Sequence, residues 1–477
     1  MDINEIARQF GVSVSGSAYY SDCIASWRDV YENRPKWKTA KKGGLFSHGD
    51  RQLLRLNMAK VLCDSFSALT FAEQCEITLD NKEYQQYIND ALNANGFWKQ
   101  LPELLCSAFA LGGCVIKCYL ENGKPKIDYI IADRFVPVRW DGRGISEGIF
   151  ISTTSCGKDF FHLLEYNGGR SPAGGGKSEF KLFKSADKNT LGNEVELSEL
   201  YPELTPTVEY PDQTPMFAYF KPFVSNNEEY DTPLGMSVYA NCLDTLKSLD
   251  TVFDSLMREF VLGKKRIIVP SSCIRTIVDP ETGAAIRYFD SDDEAFVALK
   301  NDSEKDVKIT DNTAELRVPQ HVAAINAYLN ILCMQTGLSA GTFSFDVQQG
   351  MKTATEIISQ ESKTARTVKN NKNLLAETIE GVVHALIVLG QMSKVLSKQE
   401  YTVTIGWHDN IVIDENTLID NTIKLYSAGL ISREKAIMDI YKVDDTTAKQ
   451  MAAQIAKESS VSGNVMDFFG GEEGDGS

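Results

Sequence analysis

The chain has 477 residues, of which 43% are apolar and 10% aromatic, and its 49 basic and 65 acidic residues give a net charge of −16. This length favours roughly two to four packed units, and the composition is that of a globular protein. The acidic balance argues against a tight, non-specific nucleic-acid binder, which normally carries a basic stripe. The acidic balance does not argue against a protein past which DNA slides, because a strongly basic surface would bind the phosphates and hold the DNA in place.

The 10 cysteines form no C-x-x-C pair and have no histidines at zinc spacing, which is typical of a reducing cytoplasm. Cys114 and Cys118 are expected to be buried small hydrophobes. The N-terminus has no basic region followed by an apolar one, so no secretion signal is expected. The longest apolar run, from Leu104 to Ile116, is too short to span a membrane. We therefore expect a soluble, intracellular chain without a membrane partner.

The first 220 or so residues are predicted to mix helices with antiparallel strands. The predicted elements are helices at 53–62, 84–93 and 97–109, strands at 115–119, 126–131 and 134–141, and a meander of short strands from 147 to 219. Pro137 cannot donate a ladder hydrogen bond, so the 134–141 strand is expected at a sheet edge or a bend.

Two strongly periodic helices follow, separated by an insertion. Ser237 is a candidate N-cap of the first helix, which ends near Gly263. Pro319 begins the second helix at its first turn, and Gly337 ends it. Residues 271–318 between the two helices are polar and rich in acidic side chains.

The longest predicted helix runs from about residue 353 to 392 and follows a polar loop, 341–350, that is bounded by glycines. This helix changes from polar to almost wholly apolar along its length, which indicates that it passes from a lumen or interface into a core. A strand at 401–405 and helices at 417–427, 433–441 and 446–458 complete the predicted elements. The Gly- and acid-rich tail from Ser459 is expected to be disordered.

The motifs that resemble catalytic sites do not meet the requirements of those sites. Gly174-Gly-Gly-Lys-Ser178 has Ser171 where a phosphate-binding loop needs its first glycine, and it lies between two predicted strands. A hairpin loop is the better interpretation. His384 is expected to be a hydrogen-bonded core residue, and Trp407-His408-Asp409 has no nucleophile motif beside it. We predict no catalytic residue, no metal site and no cofactor.

Basic residues surround the start of the longest helix. Lys352, Lys363, Arg366, Lys369 and Lys372 drift around the helix axis, so we expect no single basic stripe. They either mix with glutamates on a solvent-exposed helix or face DNA or a neighbouring subunit, and residue chemistry leaves both interpretations open.

Several segments together resemble the portal proteins of tailed phages, in particular those of long-tailed phages that infect Gram-positive hosts. The segments are Tyr31-x-x-Arg-Pro-Lys-Trp37, 57–64, 112–119, 133–137, 219–222 with Asn226, 233–239, 259–264, and the loop and helix start at 341–369, including Lys352-Thr-Ala-Thr-Glu-Ile-Ile358. Their consistent order over about residues 25–455 carries the resemblance, since no single motif is diagnostic.

The resemblance implies an α+β subunit with a wing, a stem, a clip and a crown. By position these would be a 1–235 α/β wing, a 236–263 stem helix, a 264–318 clip insertion, a 319–338 second stem helix, a 339–352 tunnel loop, a 353–395 long wing helix, a 396–458 helical crown and a 459–477 acidic tail.

The resemblance also implies a ring of about twelve subunits at one capsid vertex, through which double-stranded DNA is packaged and ejected without hydrolysis by the ring itself. The implied partners are other copies of the chain, the DNA, the terminase large subunit, the major capsid and scaffold proteins, and head–tail connector or adaptor proteins. The candidate tunnel residues are Ser344, Asp346, Gln348, Gln349, Lys352 and Lys363.

The expected location is the virion, after assembly in the host cytoplasm. Two other classes of protein stay open at this point. One is a cytoplasmic enzyme whose active site is dispersed along the chain, and the other is a different virion connector or head-morphogenesis protein.

Overall fold

The computed structural model describes residues 2–14, 18–41, 50–71, 74–142, 144–172, 174–263, 267–270, 276–278, 285–287, 296–299, 310–311, 315–345, 354–407, 415–441, 443 and 447–455. The chain divides into two compact units, Met1–Trp407 and His408–Ser477. Helices and mainly antiparallel sheets alternate through the first unit, so the fold class is α+β, as predicted.

The helices are α1 Ile3–Gln9, α2 Ala18–Tyr31, α3 Met58–Thr70, α4 Lys82–Ala94, α5 Phe97–Leu111, α6 Leu243–Leu262, α7 Val318–Thr336, α8 Ala354–Met392, α9 Glu415–Ser427, α10 Arg433–Tyr441 and α11 at 447–455. The strands are β1 Thr39–Lys41, β2 Asp50–Gln52, β3 Glu76–Leu79, β4 Cys114–Glu121, β5 Lys124–Ile131, β6 Phe135–Asp141, β7 Gly144–Cys156, β8 Asp159–Arg170, β9 Gly176–Ser185, β10 Asn193–Val195, β11 Thr207–Glu209, β12 Phe217–Phe220, β13 Ile267–Pro270, β14 Thr276–Val278, β15 Ala285–Arg287, β16 Phe296–Leu299, β17 Thr310–Asp311 and β18 Val403–Gly406.

The main core of the first unit lies between helices and a three-stranded sheet ordered β12-β4-β5. The second half of α8 is buried nearly all round in this core, with Val382, Val383, Leu386 and Ile387 all at 0% exposure. The predicted passage of α8 into a core is therefore confirmed for its apolar second half. Cys114 and Cys118 are both buried on β4, as expected.

A second, larger antiparallel sheet is ordered β10-β9-β8-β7-β6, and β11 pairs with β9. It confirms the predicted meander for most of its length, although β12 leaves it and pairs with β4. β6 lies at the edge, and its register with β7 shifts after Pro137, because proline cannot donate to the ladder. Gly174 and Gly175 lie in the loop between β8 and β9, and Gly176–Ser178 begin β9 and pair with β8, so the hairpin interpretation is correct.

Two helix starts were predicted wrongly. Helix α3 begins at Met58 and not at residue 53, because the N–H groups of Leu54 and Leu56 donate to carboxylates of α6 instead of continuing a helix. Ser237 is not an N-cap, since its buried hydroxyl donates to the carbonyl of Phe109. Helix α6 begins six residues later, after a 3₁₀ turn at Ala240–Cys242.

Of the remaining predictions, some are confirmed, one is wrong in part, and some fall outside the described residues. Pro319 lies in the first turn of α7, and Gly337 ends α7 with φ +82°, as predicted. His384 is hydrogen-bonded, with Nδ1 2.7 Å from the hydroxyl of Tyr401, but its side chain is 36% exposed and so is not a core residue. His408, Asp409 and the tail from Ser459 lie outside the described residues.

One described helix segment, Lys363–Met392, is long and apolar enough to cross a membrane by length and composition alone. The prediction from uncharged apolar runs did not identify this segment. Of its most apolar window, 61% is buried within the fold, as in the core helix of a globular protein, so this is weak evidence for a membrane span. Within the second unit, Ile437 of α10 packs on Ala448 and Ala452 of α11.

Candidate functional site

Helices α6 and α7 form an antiparallel pair that is fastened at both ends. At one end, the hydroxyl of Thr245 donates to Gln335 Oε1 at 2.9 Å. At the other, the guanidinium of Arg317 donates to both carboxylate oxygens of Glu259, at 3.0 and 2.9 Å. The chain leaves α6 and returns to α7 at this second end, so the ion pair closes the base of the 264–316 segment.

The electrostatics of this base favour a charged Glu259. The side-chain and backbone donors of Arg317 lower the pKa of the Glu259 carboxyl to about 2. His321 Nε2 lies 3.7 Å from the same carboxylate and contributes in the same direction. The Glu259 carboxylate is therefore charged at neutral pH.

The loop after α7 folds back along that helix. Gly341 N–H donates to Asn330 Oδ1 at 2.9 Å, and Phe345 N–H donates to Asn326 Oδ1 at 2.8 Å. The two asparagines are one helical turn apart, so their amides take up two N–H groups of the returning chain. This return loop, residues 337–345, therefore has a defined path against α7.

The return loop is also held by two threonines of α8. Ser339 N–H donates to Thr364 Oγ1 at 2.9 Å, and the two hydroxyls are 3.0 Å apart. Thr367 Oγ1 donates to the carbonyl of Gly337 at 2.7 Å. The loop is thus clamped between α7 and α8, and this arrangement fixes where the following segment, 346–353, begins.

Only two of the six predicted tunnel residues lie in the described part of the chain. Ser344 is exposed on the return loop. Lys363 is exposed on α8, and its Nζ donates to the carbonyl of Met334 near the end of α7 at 3.1 Å. The other four, Asp346, Gln348, Gln349 and Lys352, lie outside the described residues.

The exposed face of α8 carries a graded charge. Between 363 and 380 its exposed residues follow one another every three or four positions, and they are Lys363, Arg366, Lys369, Asn373, Glu377 and Glu380. Lys363, Arg366 and Lys369 share this face, but the five basic residues considered in the sequence do not all lie on it, as expected. These three span only part of the helix circumference, whereas Lys372 turns inward, is 6% exposed and lies over the ring of Trp407.

Sequence reasoning missed the residues that hold the loop. Asn326 and Asn330 interrupt an otherwise apolar helix at a spacing of four, and Thr364 and Thr367 repeat at a spacing of three. Each pair marks one helix face that carries polar groups toward another segment. These spacings could have indicated that the two helices contact another segment through polar groups. They do not show that this segment is the return loop.

Chemically, the arrangement offers amides, hydroxyls and cations on rigid helices. Among the described residues, no group of three or more His, Cys, Asp or Glu side chains could hold a metal ion. The hydroxyls of the clamp bond one another and the backbone, so their hydrogen-bonding role is structural. Such a surface suits contact with a polyanion or with another protein.

The chain matches the family model described as phage portal protein, SPP1 Gp6-like, over residues 24–461. Among solved structures it is similar to a chain of the virion of a native gene transfer agent (GTA) particle, at 10% identity and a TM-score of 0.43, over 92% of this chain and 98% of the other. A likeness at that TM-score carries no argument. None of the curated proteins matches the sequence.

The family match covers nearly the whole chain and agrees in order with the segments identified in the sequence. It extends across both helices of the α6–α7 pair, the return loop and α8. The chain therefore belongs to the phage portal protein family, SPP1 Gp6-like, a structural and non-enzymatic family of the virion capsid.

Proposed function

We propose that this portal subunit forms a ring at one capsid vertex and that double-stranded DNA passes through the ring during packaging and ejection. The observation that carries this proposal is the antiparallel α6–α7 pair, which is fastened at both ends and followed by a loop clamped against α8. Apolar side chains at the end of α6 remain exposed, with Phe260 at 46%, Val261 at 62% and Leu262 at 54%. Contacts with copies of the chain would bury such surface, and repeated head-to-tail contacts close into rings.

The parts of the subunit would then divide as follows. Residues 1–235 form the wing, α6 and α7 the stem, 264–318 the clip, 339–352 the tunnel loop, α8 the long wing helix and 396–458 the crown. The clip would dock head–tail connector proteins. The terminase large subunit, the capsid and scaffold proteins would be the other partners during assembly.

The charge of α8 supports transit of DNA in preference to capture. Lys363, Arg366 and Lys369 offer cations over two turns, and Glu377 and Glu380 follow them on the same face. A duplex that lies along this face would meet attraction over a short length only, and few phosphates would be neutralised at once. Weak, salt-sensitive contact of this kind lets DNA slide.

Two sets of changes test the proposal. Replacing Gln348, Gln349 and Lys352 by alanine should change DNA packaging more than ring formation, as measured by the DNA content of purified heads and by light scattering of the purified protein. Removing residues 271–316, which keeps Arg317 and the first residue of α7, should leave rings but prevent tail joining. Heads without rings after this deletion would contradict the assignment of the clip.

A further inference from the structure

A basic segment near the N-terminus stands out against the acidic whole. Residues 34–55 contain seven Lys or Arg and one Asp, whereas the chain carries a net −16. The described parts of this segment, 34–41 and 50–55, are called the basic strap below. They include the paired strands β1 and β2.

The basic strap is fixed to helix α6 by two buried carboxylates. Asp250 accepts from the indole of Trp37 at 2.9 Å and from Leu56 N–H at 3.1 Å. Asp254 accepts from Leu54 N–H at 3.2 Å and from Arg51 through both guanidinium nitrogens. The two carboxylates are only 8% and 3% exposed, so the strap is rigidly placed.

This anchoring leaves part of the strap turned outward. Lys36 and Lys38 are exposed, and within the described residues neither ammonium group has a hydrogen bond or an ion pair. Leu54, beside them in the strap, is 48% exposed. The outward surface therefore combines cations with an apolar side chain, a mixture that suits a protein partner better than a phosphate backbone.

A surface of opposite character lies elsewhere on the same chain. Residues 223–235, called the acidic loop below, include Glu228, Glu229 and Asp231 and carry two exposed aromatic side chains. Phe223 is 55% exposed and Tyr230 is 85% exposed. Ordered aromatic residues with this much free surface are typical anchors of protein interfaces.

The acidic loop is as firmly built as the strap. Asn226 accepts from the N–H groups of Glu228 and Glu229 at 3.0 and 3.1 Å and donates to the carbonyl of Leu234 at 3.1 Å. Phe223 N–H donates to the buried Asn371 of α8 at 2.9 Å. A long irregular loop that is tied down at both ends costs little further ordering on binding.

The two surfaces are anchored at different points of one subunit. The acidic loop lies by the start of α6, where Asn227 bonds Asn241 at 3.1 Å, whereas the strap is held by Asp250 and Asp254. Asn241 precedes Asp250 by nine residues and Asp254 by thirteen, which corresponds to about 14–20 Å at 1.5 Å per helical residue.

We infer that the acidic loop of one subunit docks on the basic strap of the next copy, with Tyr230 against Leu54 and the acidic side chains facing Lys36 and Lys38. The contact joins two different surfaces of one chain, which is the heterologous type that closes rings. The inference rests on the ring proposed above and names one of its contacts.

The test uses full-length chains with charges reversed on one side or the other. The strap variant is K36E/K38E and the loop variant is E229K/D231K, and the matched control is K158E/K188E, two exposed lysines of the larger sheet and its loops. Ring formation is followed by light scattering and negative-stain images, and folding by thermal unfolding. Each reversed variant should need about tenfold more protein than wild type to form rings, and the control should behave as wild type.

Mixing gives the decisive result. In an equal mixture of the two variants, the acidic strap of K36E/K38E can bind the basic loop of E229K/D231K. The native strap of E229K/D231K can likewise bind the native loop of K36E/K38E, so rings in which the two variants alternate should form at wild-type concentrations. Rings that form normally from each variant alone, or no recovery on mixing, would overturn the inference. A wild-type chain that never forms rings would instead contradict the proposed ring itself. If K36E/K38E forms rings but loses binding to duplex DNA, the strap binds nucleic acid and the proposed contact with the acidic loop is overturned.

Discussion

Arg317 and Glu259 join α7 to α6 at the point where the chain leaves one helix and enters the other. This contact holds the two helices together at the base of the proposed clip. It also gives the pair a defined response to pH. The folded-state pKa of Glu259 is lowered to about 2 from an ordinary 4.5, so the stabilisation is present above pH 4.5 and is lost as the pH falls through about 2.

The variant R317A should loosen this end of the helix pair. Without the guanidinium, the pKa of Glu259 returns toward its ordinary value, and at a pH of about 3.5 the carboxylate takes up a proton that the wild-type carboxylate excludes. Hydrogen exchange at the end of α6 and the start of α7 should therefore be faster in R317A than in wild type. K247A, an exposed change on the same helix, is the control. Equal exchange in all three proteins would contradict this role.

Removing both loop acceptors with N326A/N330A should release the return loop. Each amide accepts one backbone N–H, and losing such a bond costs about 0.5–1.5 kcal/mol. Exchange should rise at Gly341 and Phe345, and heads should contain altered amounts of DNA although rings still form. Q320A lies exposed on the same helix and should change neither quantity. Unchanged exchange at both amides would show that the loop is held by α8 alone.

Gly235 and Gly112 bring two backbones into contact, and G235A should disrupt that contact. A Cβ on Gly235 would lie 2.4 Å from the carbonyl oxygen of Gly112 and 2.6 Å from Lys221 Cβ. Overpacking of this kind costs about 1–3 kcal/mol of unfolding free energy. We expect a loss in the upper part of that range, because the neighbouring backbone atoms cannot move aside as the end of a side chain can. Denaturant unfolding measures the loss. G142A meets nothing within 4 Å and should leave the free energy of unfolding nearly unchanged.

The buried ion pair between Lys117 and Glu165 links the two main sheets of the first unit. The Nζ of Lys117 lies 2.6 Å from Glu165 and 3.6 Å from Asp128. Burial alone would lower the pKa of Lys117, but these two carboxylates outweigh it and raise the pKa. K117M should therefore cost about 3–5 kcal/mol of unfolding free energy, because Glu165 stays buried without its cation.

The control for that change is K126A, whose ammonium group lies 3.7 Å from Glu121 in a half-exposed pair. Such pairs contribute about 0–1 kcal/mol. The double change K117M/E165Q should recover part of the loss, because the uncompensated charge is then removed. A K117M protein as stable as K126A would mean that the carboxylate is hydrated in the native state.

Local sequence signals predicted the long elements well. The apolar period of α8 gave a helix within one residue of its observed start and at its observed end, and Pro137 gave the edge strand. These features depend on residues close together in the chain. The start of α3 was wrong because its competing partners, Asp250 and Asp254, lie about 200 residues away.

The candidate site shows the same division. The start of the loop could be predicted because Gly337 is a local signal for the end of α7. The contacts that hold the loop could not, because they come from two different helices, through Asn326, Asn330, Thr364 and Thr367. Which of the basic residues of α8 share an exposed face depends on tertiary packing for the same reason. Helical spacing alone does not say that Lys372 turns inward, and only its packing against Trp407 separates it from the exposed cations.

Assembly of this chain into a ring around a channel is tested by the mass of the purified protein from light scattering, with negative-stain images of the same sample. We expect closed rings of about twelve subunits with a central channel. A compact dimer that is stabilised by a nucleotide would contradict it.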